Sequence, residues 1–302
     1  MNLETGRRAL CLGALVALGA AQAGETSELQ WQVVRPGVSY ALQEVSTTQA
    51  EVMHRLHWLR VDLSQADLEL ALTPQNYAGL RLTDLDGNQR IIASINASFF
   101  SPDFRTRGYT VSDSGPWTGV YRLTESPLLA CKAERQCQVL HQAPDAAQED
   151  WRNVAGGVRS LVVEGLARTE QEDAQCGAFC ETPHPRSALG MDASRRWLFW
   201  LAAEGRQKHV IGLPLNRMAA KMQAQGIADA VNFDGGGSTD LHVLGQAKTA
   251  RPDDEPLPRR VANAWLLLDS SRNTPSLLSG ANASPINPII DWAKSCETKA
   301  TP

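Results

Sequence analysis

Residues 231–243, VNFDGGGSTDLHV, combine a carboxylate with the longest run of glycines in the chain. The apolar residues before the run predict a buried strand that ends near Asp234. Three successive glycines permit positive φ angles and a close approach of the backbone to a ligand. Their N–H groups are able to form an anion-binding nest beside the carboxylate. The candidate binding residues around Asp234 are Asn232, Gly235, Gly236, Gly237 and Ser238.

The same stretch lacks the features of the common nucleotide-binding loops. It has no GxxxxGK[ST] pattern, and no helix pattern follows the glycines as a dinucleotide fingerprint requires. A second interpretation, a glycine-rich hairpin turn capped by Asp234, remains open from the pattern alone.

Other polar residues stand at the ends of predicted strands or in turn-rich segments. Asn96 closes IIASIN, His184 and Arg186 precede a strand in HPRSALG, and Arg260 and Asn263 lie in RRVANAW. Each of these is weak evidence alone, since a lone histidine is more often structural and an arginine is usually solvated. Together with the carboxylate they supply the cations and amide donors that an anionic sugar substrate requires.

The elements that must position these residues are mostly strands. Alternating apolar residues predict strands within 54–64 and 67–74, and a buried strand over 90–100. One helix is clear, near 214–226, where Pro214 begins an apolar stripe that Gly226 terminates. The pattern predicts the α+β class, with a single strand-rich domain, a mixed sheet, few helices and this one crossover helix.

Composition narrows the class of partner. Apolar residues make up 43% of the 302-residue chain and charged residues 21%, as in soluble globular proteins. The formal net charge of −4 offers no general attraction to nucleic acid or anionic membranes. We expect no nucleic-acid partner.

The first residues resemble a secretory signal. Arg7 and Arg8 precede a short apolar run, and Ala21-Gln22-Ala23 forms a small-residue cleavage site. Cleavage there predicts a mature N-terminus at Gly24, a secreted or periplasmic protein and no membrane span in the mature chain. A short uncleaved anchor is the alternative. The predicted organisation is a signal peptide at 1–23, a domain at 24–270 and a C-terminal tail or strap at 271–302.

Five cysteines remain after that cleavage. Cys131 and Cys137 flank a charged turn, and Cys176 and Cys180 flank a three-residue loop. Neither spacing is the CxxC of a zinc knuckle, so two local disulfides are favoured in an export compartment. Cys296 is then free or intermolecular, although its pairing with one of the four stays open.

Five stretches, in order, resemble the phosphodiester glycosidase family. They are INASFF (95–100), GGVRSLVVEG (156–165), HPRSALGMD (184–192), the helix–strand–glycine element 215–241, and RRVANAW (259–265). The resemblance extends over roughly residues 50–270. This chain departs from the family pattern at Ser98, where glycine is usual, at Thr239-Asp240, where a second serine is common, and at Glu204, where aspartate is usual.

The resemblance implies hydrolysis of a sugar–phosphate diester at its anomeric bond. Asp234 is the expected nucleophile or general base, and Arg186, helped by Arg260 and the glycine loop, is expected to stabilise the departing phosphate. His184 is a candidate proton donor or phosphate ligand. The amides of Asn96, Asn232 and Asn263 are expected to orient the sugar or the loop.

No cofactor is predicted. A divalent ion on Asp234 is conceivable, but no EF-hand or histidine-rich ligand set supports it. The alternatives to an enzyme are a non-catalytic glycan- or phosphate-binding envelope protein on the same fold, and a secreted inhibitor or scaffold with a purely structural glycine loop. The natural sugar and the oligomeric state are left open by the sequence.

Overall fold

The computed structural model describes residues 29–47, 51–113, 115–120, 126–142 and 150–272. The predicted signal sequence 1–23, Cys296 and nearly all of the predicted segment 271–302 lie outside these residues. The proposed domain boundaries therefore stay predictions.

Eighteen strands account for most of the described secondary structure. In chain order they are β1 (Gln32–Arg35), β2 (Val38–Ser46), β3 (Met53–Asp62), β4 (Leu68–Leu72), β5 (Ile91–Asn96), β6 (Thr110–Ser112), β7 (Gly115–Pro116), β8 (Leu128–Cys131), β9 (Cys137–Leu140), β10 (Asn153–Gly156), β11 (Ser160–Val163), β12 (Leu166–Ala167), β13 (Arg186–Asp192), β14 (Trp197–Ala203), β15 (Ile227–Phe233), β16 (Leu241–Val243), β17 (Gln246–Ala247) and β18 (Ala264–Asp269).

Helices are few among the described residues. The three α-helices are α1 (Glu170–Cys176), α2 (Ala178–Glu181) and α3 (Leu215–Ala224). Single 3-10 turns occur at Gln75–Tyr77, Leu82–Leu85, Ala133–Arg135 and Gly236–Ser238. Helix α1 begins at a capping box, in which Thr169 and Glu172 satisfy each other's backbone N–H groups.

The strands form three sheets, and this confirms the α+β, strand-rich class. The eight-stranded sheet has the order β1-β2-β3-β14-β13-β15-β11-β12. The two five-stranded sheets have the orders β7-β6-β10-β8-β9 and β17-β16-β5-β18-β4.

The strand directions are more uniform than the predicted mixed sheet. Every ladder between the described strands is antiparallel. Strands β14 and β15 run in the same direction, but they lie on opposite sides of β13. Helix α3 makes the crossover between them, as the sequence predicts.

The eight-stranded sheet is buried on both faces. One face packs against the two five-stranded sheets through large side chains such as Trp200, Phe233 and Trp265. The other face is covered by α3, whose Met218 and Met222 are fully buried. Burial on both faces explains why β14 is apolar throughout and why β13 is buried along almost its whole length instead of at alternate residues. This packing fixes the positions of the residues at the ends of these strands.

Both predicted disulfides form. Cys131 bonds to Cys137 across the β8–β9 hairpin, and Cys176 bonds to Cys180 between α1 and α2. Each link closes a short local loop, so it constrains that loop more than the whole fold.

Candidate functional site

The glycine loop joins two different sheets. Strand β15 belongs to the eight-stranded sheet, whereas β16 pairs with β5 in a five-stranded sheet. The hairpin interpretation of this stretch is therefore wrong. The loop instead carries Asp234 across the gap between the two layers.

The backbone of Asp234 is tied to the end of β5. Its N–H donates to the carbonyl of Ala97 at 2.9 Å, and its carbonyl accepts from Asn96 Nδ2 at 2.6 Å. Asn96 Oδ1 accepts in turn from Ser187 Oγ at 2.6 Å and from the N–H of Asp240 at 3.2 Å. One buried amide thus joins both layers around the carboxylate.

The glycines are required because other groups pass very close. A Cβ on Gly235 would lie 2.6 Å from the carbonyl oxygen of Pro185. Gly236 has φ +61°, and a Cβ there would lie 2.8 Å from Arg206 Nη2. A Cβ on Gly237 would collide with the carboxylate of Glu255. The expectation of close approach is met, although the approaching groups belong to the protein itself.

The amides of the loop are mostly engaged within the protein. The N–H of Gly236 donates to Pro185, that of Ser238 to Gly235, and that of Thr239 to Gly236. A nest that points these donors at a bound phosphate is therefore not what the loop forms. The expectation for the amides is corrected here: the loop admits neighbouring side chains to the carboxylate.

The Asp234 carboxyl group sits in an environment that disfavours its charge. Burial raises its pKa from the ordinary value to about 6, against the opposing effect of the Ser238 side chain, the Gly235 N–H and the charges of Arg259 and Arg107. The residue as a whole is partly exposed. Such a carboxyl is ionised at neutral pH yet basic enough to accept a proton.

Arg206 lies against the glycine loop at Gly236. Its Nη1 pairs with Asp254 at 3.2 Å. Within the described part of the chain, its buried Nε and Nη2 have no hydrogen-bond partner. Two unsatisfied, buried donors beside Gly236 are costly unless a ligand accepts from them, and a guanidinium edge suits two phosphate oxygens.

Two further arginines act on the carboxylate electrostatically. Arg107 and Arg259 are both exposed, and both lower the pKa of Asp234. Arg259 is also ion-paired with Glu255 beside Gly237. Three arginines therefore lie around the glycine loop, and two of them are paired with the carboxylates of Asp254 and Glu255.

Sequence reasoning missed these three arginines for identifiable reasons. Arg206 stands in AAEGR, which was noted only for the departure from the family pattern at Glu204. Arg259 stands in RRVANAW, which carried the family resemblance, but the candidates chosen there were Arg260 and Asn263. Arg107 lies seven residues beyond the predicted strand 90–100, in a segment without any motif of its own. No local pattern distinguishes it from a solvated arginine.

Arg186 lies next to the loop but points away from it. Its Nε donates to the carbonyl of Leu213, and its Nη2 donates to those of Phe179 and Thr182. The residue is 3% exposed, and burial lowers its pKa to about 10. Three backbone carbonyls occupy the donors that were predicted to bind phosphate, so Arg186 holds the walls of the site together.

His184 is half-buried at the edge of the same region. Its backbone bridges to Leu213, and burial together with the charges of Arg186 and Arg206 lowers its pKa. The neutral imidazole is therefore favoured at neutral pH. A neutral ring suits a hydrogen-bonding role better than that of a resident proton donor.

Of the remaining predicted residues, two asparagines hold neighbouring backbone by hydrogen bonds and one arginine bonds elsewhere. Asn263 accepts from the N–H of Ser98 at 2.8 Å and donates to its hydroxyl, so it braces the loop after β5. Asn232 Nδ2 donates to the carbonyl of Val158 at 3.0 Å, behind the site. Arg260 donates to Gly79, away from the glycine loop.

At the positions where this chain departs from the family pattern, the polar side chains have partners within the protein. The hydroxyl of Ser98, at the usual glycine position, is satisfied by Asn263. Glu204 is buried against His57, with Nε2 at 2.8 Å. Asp240 lies beside His242 and accepts from Thr249.

The described residues contain no group of three or more His, Cys, Asp and Glu side chains that could hold a metal ion. No helix in the described ranges has the length and apolar character to cross a membrane.

Known proteins resemble this chain in sequence and in fold. The family model of phosphodiester glycosidases matches residues 89–268. The fold is similar to the catalytic domain of zebrafish N-acetylglucosamine-1-phosphodiester alpha-N-acetylglucosaminidase, which is auto-inhibited by its pro-peptide. That match has 17% identity and a TM-score of 0.63, over 80% of this chain and 87% of that one.

Two bacterial structures are similar as well. A hypothetical protein from Synechocystis matches with 14% identity and a TM-score of 0.63, over 81% of this chain and 64% of that one. A protein from Burkholderia pseudomallei K96243 that is described as exported matches with 16% identity and a TM-score of 0.52, over 72% and 74%. No curated protein sequence matches the chain. At these identities the structures support the fold alone.

Proposed function

Because the chain belongs to the phosphodiester glycosidase family, we propose that it is a hydrolase that cleaves the anomeric bond of a sugar–phosphate diester. The substrate class is a phosphorylated glycan or another sugar joined through phosphate. The observation that carries the proposal is that Asp234 begins the glycine loop and that two unsatisfied guanidinium donors of Arg206 lie against the same loop at Gly236.

The reaction divides between these two residues. The bond between the anomeric carbon and the phosphate oxygen breaks, and its electron pair leaves with the phosphate monoester. Arg206, with the charges of Arg107 and Arg259, stabilises that leaving group. Asp234 either attacks the anomeric carbon or takes a proton from the attacking water, and water finally supplies the new hydroxyl. Both routes require the ionised carboxylate.

The place of action is proposed to be outside the cytoplasm, either secreted or periplasmic. Two disulfides in the described residues support this proposal, because disulfides persist mainly in oxidising compartments. The N-terminal sequence, with its short apolar run and Ala21-Gln22-Ala23, supports it independently. N-terminal sequencing of exported protein is expected to find Gly24 first, and retention of Met1 would contradict signal cleavage.

Turnover of a synthetic diester tests the activity. Purified protein is incubated with aryl esters of hexose 1-phosphates, and release of reducing sugar is measured. D234N is expected to lower kcat by about 100-fold or more while the protein stays folded. The matched control is D150N, which removes an exposed carboxylate paired with Lys132.

The outcomes separate the enzyme from its main alternative. Parental turnover by folded D234N would show that Asp234 is not catalytic. Binding of the diester without any turnover by the parent protein would favour the non-catalytic glycan- or phosphate-binding protein instead.

A further inference from the structure

Two phenylalanines from separate segments of the chain are in contact. The rings of Phe99 and Phe179 have centroids 5.9 Å apart and planes tilted by 59°. Phe179 keeps 39% of its surface exposed, which is unusual here for so large an apolar ring. Phe99 is also partly exposed. We call these two residues the aromatic wall.

The backbone places the aromatic wall next to the catalytic carboxylate. Phe99 follows Ala97, whose carbonyl accepts from the N–H of Asp234, by two residues. The carbonyl of Phe99 accepts from the N–H of Arg107 at 2.7 Å. One short segment therefore supports the carboxylate, one face of the wall and one of the cations around the site.

The other half of the wall is connected through Arg186. A Cβ on Gly235 would lie 3.5 Å from the Cα of Arg186. The Nη2 of Arg186 donates to the carbonyl of Phe179 at 2.6 Å, and its guanidinium carbon lies 5.3 Å from the centre of that ring. Arg186 thus spans from the glycine loop to the wall.

The ring of Phe179 is held in place without a ligand. It stands between Cys176 and Cys180, which are bonded to each other, and Arg186 supports its backbone. Covalent closure and hydrogen bonds restrict this segment before any ligand binds. Little ordering entropy is then lost on binding, which is the condition for a preformed subsite.

We propose that the aromatic wall is the sugar subsite and packs against the apolar C–H face of a hexose ring whose anomeric phosphate lies toward Arg206. The identity of the ligand rests on the proposed function. Ring and phosphate are directly bonded in such a ligand, and the backbone of Phe99 is hydrogen-bonded to that of Arg107, one of the cations around the site. Aromatic side chains provide a large apolar face at a partly exposed position, with few polar groups needed for orientation.

The proposal separates two parts of the ligand, and calorimetry with two probes tests each. The probes are glucose 1-phosphate and inorganic phosphate, titrated into the full folded protein. F179A is expected to weaken glucose 1-phosphate about five- to tenfold and to leave inorganic phosphate unchanged. F179W keeps a stacking face and is expected to retain binding. V33A, at a residue 77% exposed on edge strand β1, is the matched control.

A second variant protects the test against local misfolding. F99A changes the same wall from the other segment and is expected to give the same selective loss. R206Q is expected to weaken both probes, since it removes the phosphate contact. Loss of both probes in F179A would mean that the wall only supports the phosphate site, and would overturn the proposal.

The remaining outcomes are also decisive and are distinguishable from failure of the proposed activity. Unchanged glucose 1-phosphate binding in F179A and F99A would overturn the subsite even if the parent protein turns over diesters. Selective loss with no turnover by the parent would support the subsite and overturn the hydrolase. No binding of glucose 1-phosphate by the parent would overturn the subsite for hexoses, whatever the turnover assay shows.

Discussion

The side-chain amide of Asn96 donates to the backbone carbonyl of Asp234 over 2.6 Å, although 138 residues separate the two in the chain. Asn96 is fully buried at the end of β5, and Asp234 follows β15 in a different sheet. The position of the carboxylate therefore depends on how the two sheets pack. The side chain of Asn96 fixes the end of β15 relative to the end of β5.

Removal of that amide is expected to affect both stability and turnover. N96A leaves the Asp234 carbonyl, the Ser187 hydroxyl and the Asp240 N–H without their partner, at a cost of about 1–3 kcal/mol in the free energy of unfolding. N96D keeps the acceptor but cannot donate to Asp234 when ionised, so kcat is expected to fall there too. Urea denaturation and steady-state kinetics measure the two effects, and parental values for both variants would refute this role of Asn96.

The charge of Asp234 is expected to destabilise the folded protein at neutral pH. Its folded pKa of about 6 exceeds the value in an unfolded chain, so its favourable contribution is complete below the unfolded pKa and is lost as pH rises through about 6. D234N removes that penalty and is expected to raise the free energy of unfolding by about 2 kcal/mol at pH 7.5. At pH 4 the two proteins are expected to have nearly equal stability. A D234N protein less stable than its parent at pH 7.5 would contradict this assignment.

The same group is expected to govern the acid side of the pH–rate profile. If the ionised carboxylate is the reactive form, kcat/KM falls about tenfold per pH unit below a pKa near 6. The profile is measured in buffers of constant ionic strength, since salt screens the charges of the surrounding arginines. Activity that rises steadily from pH 7 to pH 4 would indicate that protonated Asp234 acts as an acid instead.

Arg206 and Arg186 are expected to fail in different ways. R206K keeps a charge but loses the planar fork, so we expect weaker phosphate binding and lower turnover with near-parental stability. R186K loses bonds to three backbone carbonyls, one of them fully buried, so we expect lower stability of the folded protein before any direct effect on phosphate. Thermal melting beside phosphate titration separates the two. Equal behaviour of the variants in both measurements would refute the distinction.

A charged histidine braces the far end of the glycine loop. Burial lowers the pKa of His242, but Asp240 and Asp86 outweigh it and raise the pKa overall; Nδ1 lies 2.6 Å from Asp86. The stabilisation is therefore complete below the ordinary histidine pKa and is lost as pH rises through the raised value. H242Q is expected to cost about 2 kcal/mol at pH 6, less than a fully enclosed pair because both carboxylates keep access to water.

The measurement for this histidine is urea denaturation of both proteins at pH 6 and pH 9. The difference between H242Q and its parent is expected to shrink at the higher pH. A constant difference across that range would mean that His242 acts through packing alone. The exposed His209, which contacts the backbone of Glu51, provides the control substitution H209Q.

Residues whose meaning is local were predictable from the chain alone. Neighbours within a few positions determine three features: the strand before Asp234, the crossover helix between Pro214 and Gly226, and the Cys176–Cys180 disulfide. Periodicity, turn chemistry and short spacing act at that range, so the sequence by itself determines them. The family resemblance added the order of these elements.

What only the tertiary structure decided is which polar groups are already satisfied. Arg186 and Arg206 are indistinguishable as sequence letters, yet packing gives the donors of Arg186 three carbonyls and leaves two donors of Arg206 without partners. Likewise, the sequence does not show that the N–H groups of Gly236, Ser238 and Thr239 donate to backbone carbonyls of the protein itself. Hydrogen-bond satisfaction depends on groups brought together across the chain, so it becomes visible only when the sheets are packed.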